Sequence, residues 1–115
     1  MKNKVIIINT YFGKLPNYFQ LWLDSCGKNP EFNWVVVTDD NLNGNYIIPE
    51  NVSIAHMSLS DVEKRIYYYL NLKNDYLTAY KLCDFKPTYA AIFPELVKGY
   101  THWGFCDLDV IWGVV

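Results

Sequence analysis

Two apolar runs constrain this chain more than anything else in it: Val5-Ile6-Ile7-Ile8 and Trp34-Val35-Val36-Val37. Each is rich in β-branched residues and neither alternates with polar ones. A strand with one wet face alternates, whereas a strand covered on both faces does not, so both runs predict buried strands of a parallel sheet flanked by helices. The first should exit into a polar and aromatic loop, Asn9-Thr10-Tyr11-Phe12-Gly13. Between the runs, Pro16 can open a helix in which Phe19, Trp22, Leu23 and Cys26 recur at i, i+3, i+4 and i+7, with Gly27 as its stop. A weaker strand is expected at Val52-Ser53-Ile54-Ala55. Ser60 and Glu63 then have capping-box spacing ahead of Val62, Ile66, Tyr69 and Leu70 on one helical face. The Tyr67-Tyr68-Tyr69 run reads as packing and amphipathic surface rather than as a stacking platform.

From Leu77 to Val97 the pattern is helical, broken at Pro87 and Pro94, with Tyr89, Ile92, Phe93, Leu96 and Val97 on the buried side. Gly99 ends that region, and Trp103-Gly104-Phe105-Cys106 reads as a last strand. No repeat, linker or low-complexity stretch divides the chain. The expectation is one α/β domain over residues 1–115, a mainly parallel sheet sandwiched by helices.

Composition narrows the function classes. A net charge of -2 offers no basic surface for nucleic acid, and the lysines are scattered. Cys26, Cys83 and Cys106 are odd in number and form no CxxC pair, which argues against a disulfide framework and a zinc knuckle. The opening apolar run is cut by Asn9, too short for a signal-peptide core or a membrane span. A reducing, cytoplasmic setting is the expectation.

In open α/β sheets ligands bind beyond the carboxyl ends of the strands. Three predicted strands end in polar groups: Thr10 and Tyr11, Asp39 and Asp40, and Asp107 and Asp109. They should converge on one sheet edge. An acidic pair at i, i+2 can offer oxygens to a hard divalent cation, which then keeps waters and takes up substrate phosphates. Extended backbone would point the two carboxylates to opposite faces, so direct ligation by both requires a turn at Leu108. The spacing alone is common by chance. Its placement between apolar stretches is not, because burying unpaired carboxylates is costly. A solvated turn, or a pair satisfied by amides and lysines, is the structural alternative. Likewise Asp84 can serve a helix start, Lys86 can be a solvated residue before Pro87, and Asp39-Asp40 can be turn residues.

The segment Leu82-Cys83-Asp84-Phe85-Lys86-Pro87, followed by Phe105-Cys106-Asp107-Leu108-Asp109-Val110, resembles the core of GT-A glycosyltransferases of bacterial polysaccharide assembly. The stretches Ile7-Ile8-Asn9-Thr10-Tyr11-Phe12 and Val36-Val37-Thr38-Asp39-Asp40 resemble that family's first two strands with their nucleotide-contacting loops. The resemblance implies a nucleoside diphosphate sugar as partner, UDP-linked in preference to GDP-linked, and a Mn2+ or Mg2+ cofactor. By the same resemblance Asp107 would contact the donor and the metal, and Asp109 would ligate the metal. Thr10, Tyr11 and Asp39 would hold base and ribose, while Asp84 and Lys86 would face the sugar or diphosphate. The reaction implied is sugar transfer to a hydroxyl acceptor in polysaccharide or glycolipid synthesis, a setting that admits peripheral membrane association.

The family carries a further segment after its acidic motif, with acceptor contacts and often a third metal ligand. The expectation is therefore a donor-binding part, with its acceptor part absent and with Val110-Ile111-Trp112-Gly113-Val114-Val115 exposed or covered by a second copy in a homodimer. His56 and His102, the two histidines, match no ligand position and read as surface or core residues. Two other classes compete: an Asp-x-Asp phosphatase or phosphotransferase with Asp107 as nucleophile, and a non-catalytic nucleotide- or metal-binding module.

Overall fold

The computed structural model describes residues 4–72, 78–109 and 111–113. Four strands form one all-parallel sheet, β1 (Val5–Tyr11), β2 (Phe32–Thr38), β3 (Val52–His56) and β4 (His102–Phe105), in the order β3-β2-β1-β4. The apolar runs lie at its centre, as covered parallel strands should. Both reach beyond those runs. β1 continues through Asn9, Thr10 and Tyr11 in place of the expected loop, because β2 pairs with it up to Tyr11 and Thr38.

Two apolar layers cover the sheet. On one face Ile6, Ile8, Val35 and Val37 meet Val62 and Ile66 of α2 (Leu59–Leu70), Leu82 of α3 (Ala79–Leu82), and Tyr89 and Ile92 of α4 (Tyr89–Ile92) with the adjoining Phe93. On the other, Trp34, Val36 and Val52 meet Phe19, Trp22, Leu23 and Cys26 of α1 (Phe19–Gly27). The helical region after residue 78 is segmented: α3, a 3-10 stretch Cys83–Thr88 containing Pro87, α4, and α5 (Pro94–Val97) opened by Pro94. Proline lacks the amide a continuing helix would need, which accounts for both interruptions. Leu77, where helix was expected to begin, lies outside the described residues. Arg65 ties α2 to this region: its guanidinium donates to the Ile92 carbonyl at 3.0 Å, pairs with Glu95 at 2.6 Å and lies 5.6 Å from the Phe93 ring centroid.

Two local readings need correction, and a third holds for a different physical reason. The capping box of α2 is Ser58 with Asp61, not Ser60 with Glu63: the Ser58 hydroxyl accepts the Asp61 amide, and the Asp61 carboxylate accepts the Ser58 amide. α1 begins at Phe19, after a turn in which the Phe19 amide bonds the Pro16 carbonyl. Gly27 closes α1 without a left-handed backbone. It is small because a Cβ there would meet Pro49 at 3.1 Å.

The expectation of an uncovered tail holds at Ile111 and Gly113 but not at Trp112, which is partly covered. Leu108 is buried in the α1-side layer, Trp112 packs on Trp34 with ring centroids 5.8 Å apart, and the Asn29 amide donates to the Gly113 carbonyl at 2.8 Å. Ile111 is exposed. Val110, Val114 and Val115 lie outside the described residues. Among those residues no helix is long and apolar enough to cross a membrane. Tyr67, Tyr68 and Tyr69 are exposed, so that run is surface and does not pack into the core.

Candidate functional site

All four strands point the same way, so their carboxyl ends share one edge. The chain steps from β1 to β2 to β3 in one direction and then returns to place β4 on the far side of β1. The reversal falls between β1 and β4, the position where open parallel sheets leave a crevice for a ligand. Thr10 and Tyr11 end β1 there, and Asp107 follows β4 there.

One short segment fastens the two strand ends at that crevice. Tyr89, almost wholly buried, shares a 2.7 Å hydrogen bond between its hydroxyl and Thr10 Oγ1. Three residues earlier, Lys86 Nζ meets Asp107 Oδ1 at 2.5 Å, with the lysine side chain 18% and the aspartate side chain 61% exposed. Beneath them, Asn9 is fully buried and its Oδ1 accepts the Cys106 thiol. Burial, and secondarily the Asp107 charge, push the Cys106 pKa up to about 12, so it stays a neutral donor; Lys86 acts in the opposite sense and Asp109 in the same sense as Asp107.

The backbone turns at Leu108 and Asp109 directly after Asp107, as ligation of one cation by both carboxylates requires. Leu108 is drawn into the core while Asp107 and Asp109 stay exposed on either side of it. Among the described residues no three His, Cys, Asp or Glu side chains gather to enclose a metal. Two hard carboxylates on an open turn suit Mg2+ or Mn2+ bound largely through water and ligand oxygens, and would not build a closed protein cage.

On the other side of the β1 exit lies a cleft of about 450 Å³ lined by Gly13, Lys14, Asp39, Asn41, Asn43 and Tyr46 among others. Its walls are the loop after β1 and the loop joining β2 to β3, held together by two carboxylates. Asp39 Oδ1 accepts the Gly13 amide at 2.8 Å. Asp40 accepts the Leu15 amide at 3.0 Å on one oxygen and the Leu42 amide at 2.7 Å on the other. Those two backbone bonds hold the Asp40 pKa below its ordinary value. A depressed carboxyl stabilises the fold above its unfolded pKa and loses that contribution as pH falls through the folded value, so this clasp is intact at neutral pH.

Leu42, Asn43 and Gly44 all have left-handed backbone, with φ of 60°, 49° and 70°. A leucine rarely adopts that region. Burial of its side chain under the α1 layer, together with the Asp40 bond to its amide, holds it there. Backbone outliers of this kind cluster at functional sites, and this one sets the cleft's rim.

The site residues expected from the sequence thus fall into groups. Lys86 and Asp107 are in contact, with Asp109 across the turn. Thr10 is engaged by Tyr89, and Tyr11 packs against the α1-side layer, so both are half-buried walls of the β1 exit. Asp39 lines the cleft with its carboxylate on Gly13. Asp84 is exposed on the 3-10 stretch. Lys14, Asn41, Asn43, Asn45 and Tyr46 join the cleft beyond the residues expected from sequence; the run Asn41-Leu42-Asn43-Gly44-Asn45 is the strong turn signal that marks it.

These features define the class: an open parallel α/β domain with a polar cleft and an acidic turn at its switch point. The chain belongs to a family of unknown function, DUF6625, whose model matches residues 7–115. No curated protein and no solved structure matches it.

Proposed function

We propose that this chain is the nucleotide-sugar-binding part of a metal-dependent glycosyltransferase of GT-A type. One observation carries the reading: the asparagine-lined cleft and the Asp107-Leu108-Asp109 turn flank the exit of β1 on the same sheet edge. Their parent strands, β2 and β4, are two strand spacings apart, roughly 10 Å. A nucleoside joined to a diphosphate spans such a gap with its base at one end and its charge at the other.

In this reading the amides of Asn41, Asn43 and Asn45 offer donors and acceptors to the base edge, and the Tyr46 ring offers an apolar face. Asp39 is placed to accept from a ribose hydroxyl. Lys86 contributes positive charge on the diphosphate side, and Asp107 and Asp109 would hold a Mg2+ or Mn2+ ion. When bound, that ion supplies Lewis-acid neutralisation of the departing diphosphate. The reaction class is sugar transfer: the bond from the anomeric carbon to the diphosphate oxygen breaks, and a bond to an acceptor hydroxyl oxygen forms. The residues named account for the donor, and none of them is assigned the acceptor's proton.

Amide chemical-shift mapping with UDP and Mg2+ tests this placement. The expected shifts fall on Lys14, Asp39 and residues 41–46 together with 107–109. Shifts confined to other surfaces, such as the exposed face of α2, would contradict it.

A further inference from the structure

Lys86 and Asp107 form an ion pair at the place where a divalent cation would need the same carboxylate. Resting on the donor-binding reading above, we propose that Lys86 is an exchange residue, neutralising Asp107 in the ligand-free chain and transferring to the nucleotide diphosphate when a divalent cation takes its place on Asp107. The geometry favours exchange over permanent pairing. Asp107 is largely exposed and lies on a turn, so its second carboxylate oxygen remains accessible to a cation. Lys86 sits on a 3-10 stretch rather than within a long helix, and its flexible four-carbon stem can re-aim the ammonium without moving the backbone. The carboxylate end of the pair is 61% exposed, so a hydrated cation can approach Asp107 from solvent while Lys86, 18% exposed, stays beside the crevice.

The exchange links two binding events. Lys86 competes with the cation for Asp107, so it weakens cation binding to the ligand-free chain. Once released from Asp107 it adds an attractive charge for the diphosphate, so it strengthens nucleotide binding to the cation-loaded chain. Cation and nucleotide therefore bind with positive cooperativity, and the coupling must be reciprocal. A lysine serving only to brace the fold would not produce opposite changes in the two affinities.

The test measures Mn2+ affinity of the chain without nucleotide, by electron paramagnetic resonance of free Mn2+, and UDP affinity at saturating Mn2+, by calorimetry. Lys86→Met should bind Mn2+ alone several-fold to about tenfold more tightly and UDP about tenfold more weakly, within the range of ordinary coupling energies. Lys86→Arg, which keeps the charge, should restore most of the UDP affinity and the weaker Mn2+ binding, and circular dichroism should show both variants folded. Unchanged or weakened Mn2+ binding by Lys86→Met, in a chain whose UDP binding still requires Mn2+, overturns the exchange role alone. Absence of Mn2+-assisted UDP binding in the unsubstituted chain overturns the donor reading and the exchange with it.

Discussion

Trp34→Ala should destabilise the domain by about 3–5 kcal/mol, the range for removing a buried tryptophan. Trp34 is 1% exposed and stands at the centre of the α1-side layer. Its ring meets Phe32 at 6.1 Å and Trp112 at 5.8 Å, so it joins the sheet to the segment that returns after the acidic turn. Truncation removes that contact and leaves a cavity which neighbours in a parallel sheet can fill only in part. Domains of this size are stable by only about 5–15 kcal/mol, so the loss is a large share of the whole. Trp34→Phe should cost less than the alanine variant, because the Trp34 indole N–H has no hydrogen-bond partner among the described residues and only ring volume is reduced. Urea unfolding followed by circular dichroism measures both. Equal stability of Trp34→Ala and the unsubstituted chain would show that this layer is not the core described.

Asp107→Ala should weaken Mn2+-assisted UDP binding at least about tenfold and on the order of a hundredfold, since losing even an outer partner of a metal ligand commonly costs that much. Asp109→Ala should do the same by removing the other carboxylate of the turn. Neither should unfold the chain. Both carboxylates are exposed, so removing either opens no cavity in the two apolar layers. Asp24→Ala is the control: Asp24 is an exposed carboxylate on α1 that accepts the Gln20 side-chain amide, away from the strand ends. A loss of binding shared by all three variants would point to net charge rather than to the turn.

The sheet was legible because its central strands are unbroken apolar runs, and such runs have few other places to go in a chain of this length. The full extent of β1 was hidden by Asn9 and Thr10, polar residues that read as a loop. They stay in the strand because partners distant in sequence satisfy them, the Cys106 thiol for Asn9 and the Tyr89 hydroxyl for Thr10. The start of α2 is ambiguous in the sequence by two residues because Ser58 and Ser60 each have an acidic residue three positions on. Only the first choice begins the helix at Leu59, with Val62 and Ile66 buried on one side.

The acidic turn was legible from the placement of Asp107 and Asp109, and so was the need for a bend at Leu108. The ion pair with Lys86 was not, since it joins positions that only the 3-10 stretch brings together. The cleft was missed for a similar reason. Its rim depends on Leu42 holding a left-handed backbone that leucine seldom adopts; the Asp40 bond to its amide is local, but the burial that helps impose it is tertiary. The covered position of Trp112 likewise depends on Trp34, far back in the chain.

Calorimetric titration of the unsubstituted chain with UDP and with GDP, in Mn2+ and again with a chelator present, tests the donor-binding claim most directly. The account predicts saturable binding in Mn2+, stronger for UDP, and at least about a tenfold loss when the ion is withdrawn. Binding of equal strength with and without the metal would contradict the role given to Asp107 and Asp109, and no binding of either nucleotide would contradict the proposed function as a whole.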